Sequence, residues 1–353
     1  MIRVLVAEDS PTVRELLVSI LESDPGITVV GQARNGREAV EMTARLRPDL
    51  VTMDIHMPLL NGFEATKAIM IETPTPIIIV SSRASREEID LSLNATRAGA
   101  LMVMPIPDSP RSERFDELRT QLVAMVKAMA QVRVVRRWGP KSHARKPLSS
   151  GDAPTAPNAL VAIAASTGGP AALQRILMDL PRAFPAPILV VQHIAPGFVH
   201  GLARWLGASC DLRVKVAEHG EPLNRGTIYI APDDHHLGVR QAGRIELSDL
   251  PVIDGFRPSA NHLFETAGSV YGASLVAVIL TGMGRDGVEG LRTVHMLGGC
   301  VIAQDRASSV VFGMPNEAVQ AGVVDMVLPV HRIASRLVTL MLGDLNAVSD
   351  PCS

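Results

Sequence analysis

Three polar residues in the second half of the chain have the side chains that nucleophilic catalysis requires. Ser166 and His193 each follow an apolar run typical of a buried strand, and Asp286 lies in the loop after a third such run. Because the carboxyl ends of parallel strands meet at one edge of a sheet, we expect the three side chains to lie close together. A serine nucleophile needs a base, and the base needs an orienting carboxylate. The pattern therefore predicts hydrolysis through a serine, although no GxSxG elbow is present to indicate an ordinary α/β-hydrolase.

Each of these residues also has a simpler interpretation. Ser166 or Thr167 could only cap the helix that is predicted to begin near Pro170, and this is the better interpretation for either residue alone. A lone His193 is more often a loop or core histidine, and Asp286 fits a turn in a glycine-rich loop. The hydrolase hypothesis depends on all three occurring together.

A second hypothesis comes from the glycines around Asp286. Gly282, Gly284 and Gly287 have the GxGxxG spacing of a dinucleotide-binding turn, and Asp305 ends the next predicted strand about 20 residues on, as a ribose ligand would. A nicotinamide-dependent oxidoreductase is therefore a rival. Against it, the motif is not in the first strand–helix turn of its domain, and it leaves Ser166 and His193 without a role.

The first half of the chain predicts a cluster of acids. Glu8 and Asp9 follow the first predicted strand, Asp54 follows the third, and Ser81 follows the fourth. Neighbouring carboxylates repel one another unless a cation lies among them, and oxygen ligands favour Mg²⁺. Such an ion can orient a phosphoryl donor toward a carboxylate nucleophile. The sequence therefore predicts a Mg²⁺ site at this edge, with ordinary surface acids as the alternative.

These residues lie in two regions where short β-branched runs alternate with helical patterns, which predicts an α/β fold with parallel sheets. We expect domains at 1–125 and 158–346, joined by a linker at 126–157 that is basic and then rich in Pro, Ser and Ala. The predicted strands are Val4–Ala7, Thr28–Gly31, Leu50–Met53, Ile77–Val80, Leu101–Met104, Leu160–Ala164, Ile188–Gln192, Thr227–Ala231, Leu275–Leu280 and Cys300–Ala303.

Composition narrows the function classes. Aromatic residues make up 3% of the 353 residues and the formal net charge is −2, so neither stacking platforms nor a positive field predicts nucleic-acid binding. Three scattered cysteines predict no disulfide framework or zinc site, and Asp233-Asp-His-His236 is interpreted as a solvated loop. No apolar run is long enough to cross a bilayer, and the N-terminus is unlike a signal peptide. We expect a soluble, cytoplasmic protein.

Two sets of motifs resemble known families. Glu8-Asp9, Asp54-Ile-His-Met-Pro58, Asn61-Gly62 and Ser81 resemble the flavodoxin-like, five-stranded receiver domain of two-component response regulators. Six segments of the second half, in order along the chain, resemble the doubly wound, mainly parallel catalytic domain of chemotaxis protein-glutamate methylesterases. The segments are Ala165-Ser-Thr-Gly-Gly-Pro170, Gln192-His-Ile194, Tyr229-Ile-Ala-Pro232, Arg257-Pro-Ser259, Leu280-Thr-Gly-Met-Gly-Arg-Asp-Gly287 and Ala303-Gln-Asp305.

The resemblance implies a role for each site. In the receiver, Asp54 would be the phosphoacceptor, Glu8, Asp9 and Asp54 the metal ligands, and Ser81 the switch hydroxyl. In the second domain, Ser166, His193 and Asp286 would form the triad, with oxyanion support from Thr167 and Met283 and no cofactor. The substrate would be glutamyl methyl esters of chemoreceptor cytoplasmic domains, with glutamine deamidation as a related reaction, and a chemotaxis histidine kinase would supply phosphate.

Three positions depart from the family patterns. Ile106 occupies the place of a receiver lysine that pairs with the phosphoryl group, which affects phosphorylation or its coupling to the output. Phe256 and Asn261 stand where the esterase pattern has His and Asp. We expect these last two differences to concern the substrate side more than the triad.

Overall fold

The computed structural model describes residues 1–81, 86–106, 115–132, 134 and 159–342, and it divides into two compact units, Met1–His143 and Ala144–Ser353. Most of the predicted linker at 126–157 lies outside the described residues. Each unit is built around its own parallel sheet.

The first unit has five strands in the order β2-β1-β3-β4-β5 among its described residues, and all neighbouring pairs are parallel. This order is that of flavodoxin-like sheets, which confirms the predicted fold. Its elements are β1 (Ile2–Ala7), α1 (Pro11–Glu22), β2 (Ile27–Ala33), α2 (Gly36–Leu46), β3 (Leu50–Met53), α3 (Gly62–Glu72), β4 (Ile77–Ser81), α4 (Arg86–Ala98), β5 (Met102–Pro105) and α5 (Phe115–Met129).

Polar caps begin the helices that follow the strands of this unit. Ser10 caps α1, with Pro11 in the first turn, where the missing N–H of proline costs nothing. Asn35 caps α2 by accepting the Glu38 N–H at 2.9 Å, and Asn61 caps α3 in the same way. These caps end the loops that carry the acidic residues, so the loops are short and well defined.

The second unit has a seven-stranded parallel sheet in the order β14-β13-β12-β6-β7-β9-β8, and β10 and β11 form a separate antiparallel pair. The predicted, mainly parallel α/β fold is confirmed. Its elements are β6 (Leu160–Ala165), α6 (Gly169–Met178), β7 (Ile188–Gln192), α7 (Val199–Gly207), β8 (Arg213–Val216), β9 (Thr227–Ile230), β10 (His236–Arg240), β11 (Arg244–Ser248), α8 (Ala260–Tyr271), a 3₁₀ turn (Gly272–Ser274), β12 (Leu275–Ile279), α9 (Val288–Met296), β13 (Cys300–Gln304), α10 (Met314–Gln320), β14 (Met326–Leu328) and α11 (Val330–Leu342).

The central strands β6, β7, β12 and β13 are buried along their whole length, as expected for parallel strands covered on both faces. Alternate residues of β6 belong to the same apolar cluster as the inner side chains of α8, including Leu263 and Phe264. The edge strands β8 and β14 are partly exposed. The middle of the sheet, β12-β6-β7, is therefore the most rigidly packed part of the unit, and its carboxyl ends carry the candidate catalytic residues.

Candidate active site

Ser166 and His193 lie at the ends of neighbouring parallel strands. Ala165, the last residue of β6, pairs with Gln192, the last residue of β7. The His193 N–H donates to the Ala165 carbonyl at 2.9 Å, so residues 166 and 193 leave the sheet side by side. On the other side of β6, β12 leads into the loop that carries Asp286. The sheet thus brings the three residues to one edge, as the strand pattern predicted.

Ser166 is not a helix cap. The helix α6 begins at Gly169, its cap position is Gly168 with a φ of 77°, and no side chain caps its free N–H groups. The Gly169 N–H instead donates to the Ser166 carbonyl at 2.8 Å, which closes a tight turn between strand and helix. The simpler interpretation of Ser166 and Thr167 as caps is therefore wrong, and the partly exposed Ser166 is available for another role.

His193 is fixed through one ring nitrogen. Its Nε2 lies 2.9 Å from Oδ2 of Asp286, and both side chains are almost fully buried. An ionised carboxylate can only accept hydrogen bonds, so in the neutral imidazole Nε2 carries the proton and Nδ1 has the lone pair. Among the described residues, no group hydrogen-bonds to Nδ1, which is itself buried. The ring therefore presents an unused base nitrogen at the edge where Ser166 lies.

The Asp286 carboxylate is surrounded by donors from the start of α8. The Ser259 hydroxyl donates to Oδ1 at 2.7 Å, and the backbone N–H groups of Ala260 and Asn261 donate to Oδ2 and Oδ1 at 2.7 and 3.2 Å. Burial opposes the charge of this group, but the hydrogen bonds from His193, Ser259 and Ala260 outweigh burial and lower the pKa of Asp286. The carboxylate is therefore ionised at neutral pH even though it is 1% exposed.

The turn that carries Ser166 is held by the neighbouring loop and strand. The Ser166 N–H donates to the Thr281 carbonyl at 3.0 Å, and the Gln192 side-chain amide donates to the Ser166 carbonyl at 2.9 Å. Gly282 passes so close that a Cβ there would lie 2.8 Å from the Ser166 Cβ. The backbone on both sides of the serine is thus fixed before any substrate binds.

Thr167 and Met283, the predicted oxyanion donors, lie next to these fixed positions. The Thr281 hydroxyl donates to the Thr167 carbonyl at 2.9 Å, which holds the peptide that follows Thr167, and the bond from Gln192 to the Ser166 carbonyl holds the peptide before it. The Gly282 carbonyl accepts from the N–H groups of Gly313 and Met314 at 3.1 and 2.9 Å. Met283 therefore follows an anchored peptide, and its side chain is 39% exposed.

The glycine-rich loop does not have the open anion-binding turn that a dinucleotide requires. The N–H groups of Gly287 and Gly290, at the start of α9, both donate to Oδ1 of Asn261 at 3.0 Å. Asp305, the candidate ribose ligand, accepts instead from the N–H and hydroxyl of Ser308 at 2.9 and 2.6 Å. The groups that would bind pyrophosphate and ribose are already paired within the protein, which argues against the oxidoreductase hypothesis.

Phe256 contacts the candidate triad and the Asn261 side chain binds backbone next to it, while the expectation that they concern mainly the substrate side stays a prediction. The Phe256 ring stacks on the His193 imidazole with a centroid separation of 4.0 Å and an interplanar angle of 9°. Asn261 accepts from the N–H groups of Gly287 and Gly290, just after Asp286. The sequence contains no local motif that predicts either contact, because the first depends on how the turn before α8 packs against the end of β7, and the second on how α8 packs against α9.

The segment Asp233-Asp-His-His236 is held by ordinary protein contacts. Asp233 accepts from the Gly197 N–H at 2.7 Å, Asp234 pairs with Arg257 at 2.6 Å, and His235 lies 3.1 Å from Asp249. His236 is buried, with Nε2 3.1 Å from the Pro251 carbonyl. The four side chains point to different partners, which argues against a metal cluster. The predicted solvated loop is wrong for His236, because this residue is buried and begins β10.

The first unit brings Glu8, Asp9 and Asp54 together. One carboxylate oxygen from each lies within 4.8 Å of the others, and Oε2 of Glu8 is buried without a hydrogen-bond partner. Burial, followed by the charge of Asp54, raises the pKa of Glu8 to about 8. Burial, with a further contribution from Asp9, raises the pKa of Asp54 to about 6. An orphaned carboxylate oxygen among acids that resist ionisation fits a hard divalent cation.

Ser81 and Ile106 flank this acidic pocket on the next two strands. Ser81 ends β4 and is 1% exposed. Ile106 directly follows β5, and its N–H donates to the Ser81 carbonyl at 3.2 Å. Position 106 thus lies beside Ser81, and its apolar side chain supplies no positive charge to a phosphoryl group.

No helix in the described part of the chain is long and apolar enough to cross a membrane.

Comparison with known proteins matches both units. Residues 161–337 match the CheB methylesterase family, and residues 4–105 match the response regulator receiver domain. The chain is 53% identical over 346 residues to protein-glutamate methylesterase/protein-glutamine glutaminase 4 of Myxococcus xanthus, covering 97% of this chain and 98% of that protein. A protein of the same name from Nitrosospira multiformis is 46% identical, covering 97% of each chain.

A solved structure supports the same assignment for the second unit. The crystal structure of the Thermotoga maritima CheB methylesterase catalytic domain is 44% identical, with a TM-score of 0.51, and covers 52% of this chain and 98% of that domain. The sequence matches and the fold agree, and the chain belongs to the CheB methylesterase family, with an N-terminal response regulator receiver domain.

Proposed function

We propose that the second unit hydrolyses glutamyl 5-O-methyl esters on methyl-accepting chemoreceptors and releases methanol, through a serine nucleophile. The observation that carries the proposal is the buried pair in which Nε2 of His193 is bound by Asp286 while Nδ1 has no partner. This leaves a base nitrogen available at the strand end where Ser166 lies. The names of the relatives supply the ester class.

The first half of the reaction forms an acyl-enzyme. Nδ1 of His193 takes the hydroxyl proton of Ser166 as Oγ attacks the γ-carbonyl carbon of the ester. The resulting imidazolium is stabilised by the Asp286 carboxylate. Collapse of the tetrahedral intermediate breaks the bond to the methoxy oxygen, which receives the proton from His193 and leaves as methanol.

Backbone N–H groups of Thr167 and Met283 are the proposed donors to the oxyanion. Removing one donor of this kind typically costs about 10²–10³ in rate. The Thr167 N–H belongs to a peptide anchored at the Ser166 carbonyl by Gln192, and the Met283 N–H to one anchored at the Gly282 carbonyl, so the donors need little reorganisation during the reaction.

Water completes the cycle by attacking the acyl-enzyme, with His193 again as the base, and the product is a free glutamate. The same steps convert glutamine to glutamate, because only the leaving group changes from methanol to ammonia. The names of the relatives include this second activity.

Methanol release from methylated chemoreceptor cytoplasmic fragments tests the proposal. We expect the full chain to release methanol and the Ser166→Ala variant to release almost none. Ser335→Ala, at an exposed serine on α11 whose hydroxyl donates to the Arg332 carbonyl, is the matched control and should keep full activity. Equal release from wild type and Ser166→Ala would refute the serine mechanism, and no release by wild type from several receptor fragments would refute the ester assignment.

For the first unit we propose phosphorylation of Asp54 by a chemotaxis histidine kinase. Glu8, Asp9 and Asp54 would hold Mg²⁺, which when bound neutralises the acids and orients the incoming phosphoryl group. Ser81, at the end of the neighbouring strand, would donate its hydroxyl to a phosphoryl oxygen. This role and its receptor substrate would place the protein in the cytoplasm.

Phosphorylation would regulate the esterase by shifting the population of an active state. Methanol release by the full chain, with and without a small-molecule phosphodonor and Mg²⁺, tests this, and Asp54→Asn is the control. We expect stimulation that disappears in Asp54→Asn. Ile106→Lys provides a second comparison, since it restores the cation that Ile106 lacks. Stimulation that persists in Asp54→Asn would rule out Asp54 as the phosphoacceptor.

A further inference from the structure

We infer that Phe256 is a positioning residue for the proposed reaction, because its ring fixes the plane of the His193 imidazole and favours the positively charged form of that imidazole. The inference rests on the proposed esterase function. Phe256 itself touches neither Ser166 nor the ester in this account, and it acts through His193.

The first observation is the geometry of the two rings. Their centroids are 4.0 Å apart and their planes differ by 9°, a stacked arrangement in which one face of the imidazole is covered. His193 has only one hydrogen bond from its ring, between Nε2 and Asp286, and Nδ1 has none among the described groups. A ring held at one atom can still rotate about that bond. The stacked Phe256 ring prevents this rotation and keeps the lone pair of Nδ1 pointing in one direction.

The second observation is the turn that presents Phe256. Asp254 and Gly255 have φ values of 50° and 85°, and the backbones of Ile253 and Phe256 exchange two hydrogen bonds of 3.1 and 2.9 Å. Positive φ at both central residues and the Asp-Gly sequence are the marks of a type I′ turn. Phe256 is therefore delivered by a tight two-residue turn and not by a loose loop.

The turn is anchored on both sides of Phe256. Nδ2 of Asn261 donates to the Asp254 carboxylate at 3.4 Å. On the other side, Arg257 pairs with Asp234 through two bonds of 2.6 and 2.9 Å. Asn261 also binds the start of α9, next to Asp286. Asn261 thus fixes the turn that carries Phe256 relative to the start of α8, which also holds the triad carboxylate.

The face of Phe256 also changes the energy of the imidazolium. An aromatic face attracts a cation that lies over it, and the attraction grows where water is excluded. His193 is neutral before Ser166 is deprotonated and positive in the transition state, so the attraction is stronger in the transition state. Interactions of this kind raise kcat and leave KM nearly unchanged.

Phe256→Leu in the full chain tests the inference, since leucine fills the space without a flat ring. We expect kcat for methyl-ester hydrolysis to fall about 10- to 100-fold while KM changes less than about twofold. Phe256→Tyr keeps the ring and should retain kcat within about threefold. Val252→Ala, on an exposed side chain of the same loop, is the control and should leave both constants unchanged.

A readout independent of receptor substrate is the rate at which a fluorophosphonate labels Ser166. Labelling requires the histidine base but not recognition of the receptor, so Phe256→Leu should slow it by a similar factor. Thermal unfolding of each variant shows whether the fold is intact. If Phe256→Leu does not fold, Gly255→Ala replaces it: its Cβ meets nothing within 4 Å, so it strains only the turn, and it should lower kcat in the same sense.

The outcomes distinguish the positioning role of Phe256 from the proposed esterase function. A folded Phe256→Leu with wild-type kcat and wild-type labelling would overturn the positioning role and leave the esterase proposal intact. A rise in KM with unchanged kcat would also overturn it, because Phe256 would then be a substrate contact. No labelling and no methanol release by the wild type would mean that the proposed function itself has failed.

Discussion

Replacing Asp286 by asparagine is expected to slow the esterase moderately, because the structure should keep the His193 tautomer that catalysis needs. An amide has one oxygen that accepts and one nitrogen that donates, whereas the carboxylate accepts on both sides. Which side receives the nitrogen therefore decides whether His193 still donates from Nε2.

The donors around Asp286 favour one orientation of the amide. On the Oδ2 side, the Ala260 N–H at 2.7 Å and His193 at 2.9 Å both point at the oxygen, and the backbone N–H cannot turn away. On the Oδ1 side, the strong donor is the Ser259 hydroxyl at 2.7 Å, which can rotate and accept. The hydrogen bond from the Asn261 N–H on that side is longer, at 3.2 Å. We expect the amide nitrogen to replace Oδ1, which leaves an oxygen facing His193.

The expected loss of kcat in Asp286→Asn then comes only from the loss of the carboxylate charge. A hydrogen bond to a charged partner contributes about 1.5–3 kcal/mol, against about 0.5–1.5 kcal/mol for a neutral one. The difference of about 1–2 kcal/mol in stabilising the imidazolium corresponds to about 5- to 30-fold in kcat. If the amide instead reversed the tautomer, Nδ1 would be protonated and the loss would approach about 10⁴-fold.

The assay is kcat for methanol release by Asp286→Asn, together with ¹⁵N NMR of the His193 ring to identify the protonated nitrogen. A kcat within about twofold of wild type would refute the role of the Asp286 charge. A loss close to that of Ser166→Ala, with Nδ1 protonated, would refute the orientation argument while leaving the triad in place.

Three further changes test other parts of the structure. Asn261→Leu should lower the free energy of unfolding by about 2–4 kcal/mol, because two buried N–H groups of α9 lose their acceptor; chemical denaturation measures this. Gly282→Ala should reduce kcat strongly, because its Cβ would displace Ser166, and fluorophosphonate labelling should slow with it. Because Glu8 and Asp54, with pKa values of about 8 and 6, hold protons that the unfolded chain has released, the melting temperature of the first unit should fall between pH 4.5 and about 8, and Mg²⁺ should restore it at the upper end.

Each of these has its own control. Asn261→Asp keeps an acceptor for both N–H groups and should cost less than Asn261→Leu. In Gly282→Ala, the new Cβ would also lie 2.3 Å from Sδ of Met314, so adding Met314→Ala separates the two clashes. Recovery of activity in that double variant would show that Met314, and not Ser166, is the residue displaced. A melting temperature of Glu8→Gln that still depends on pH and Mg²⁺ as in wild type would argue against Glu8 as the main proton site.

The fold could be predicted from the sequence where strands are buried on both faces. Leu50–Met53 and Ile188–Gln192 are strands with the bounds expected from their apolar runs. The edge strands β8 and β14 were not predicted, because Arg213–Val216 alternates basic and apolar residues and Met326–Leu328 is only 3 residues long. The β10–β11 pair also escaped prediction, since it lies outside the parallel sheet.

The residues of the site likewise divide into those that the strand pattern locates and those that it does not. Ser166 and His193 could be located because they follow central strands, and the carboxyl ends of such strands meet at one edge. Ser259 and Phe256 act on the triad from the start of α8 and from the turn before it, which the strand pattern does not locate. Their contacts depend on tertiary packing, and no spacing rule in a single sequence specifies them.

The start of α8 explains how a buried carboxylate keeps its charge without a permanent cation. Ser259, Ala260 and Asn261 direct three donors at Asp286 from the N-terminus of a 12-residue helix, where the backbone dipoles also favour an anion. A fixed lysine or arginine would neutralise the carboxylate and weaken its hold on the imidazolium that forms during the reaction. Neutral donors lower the pKa of Asp286 and leave its negative charge available to stabilise the positively charged form of His193. In the proposed mechanism, the positive charge that balances Asp286 develops on His193 in the transition state, when it accelerates the reaction.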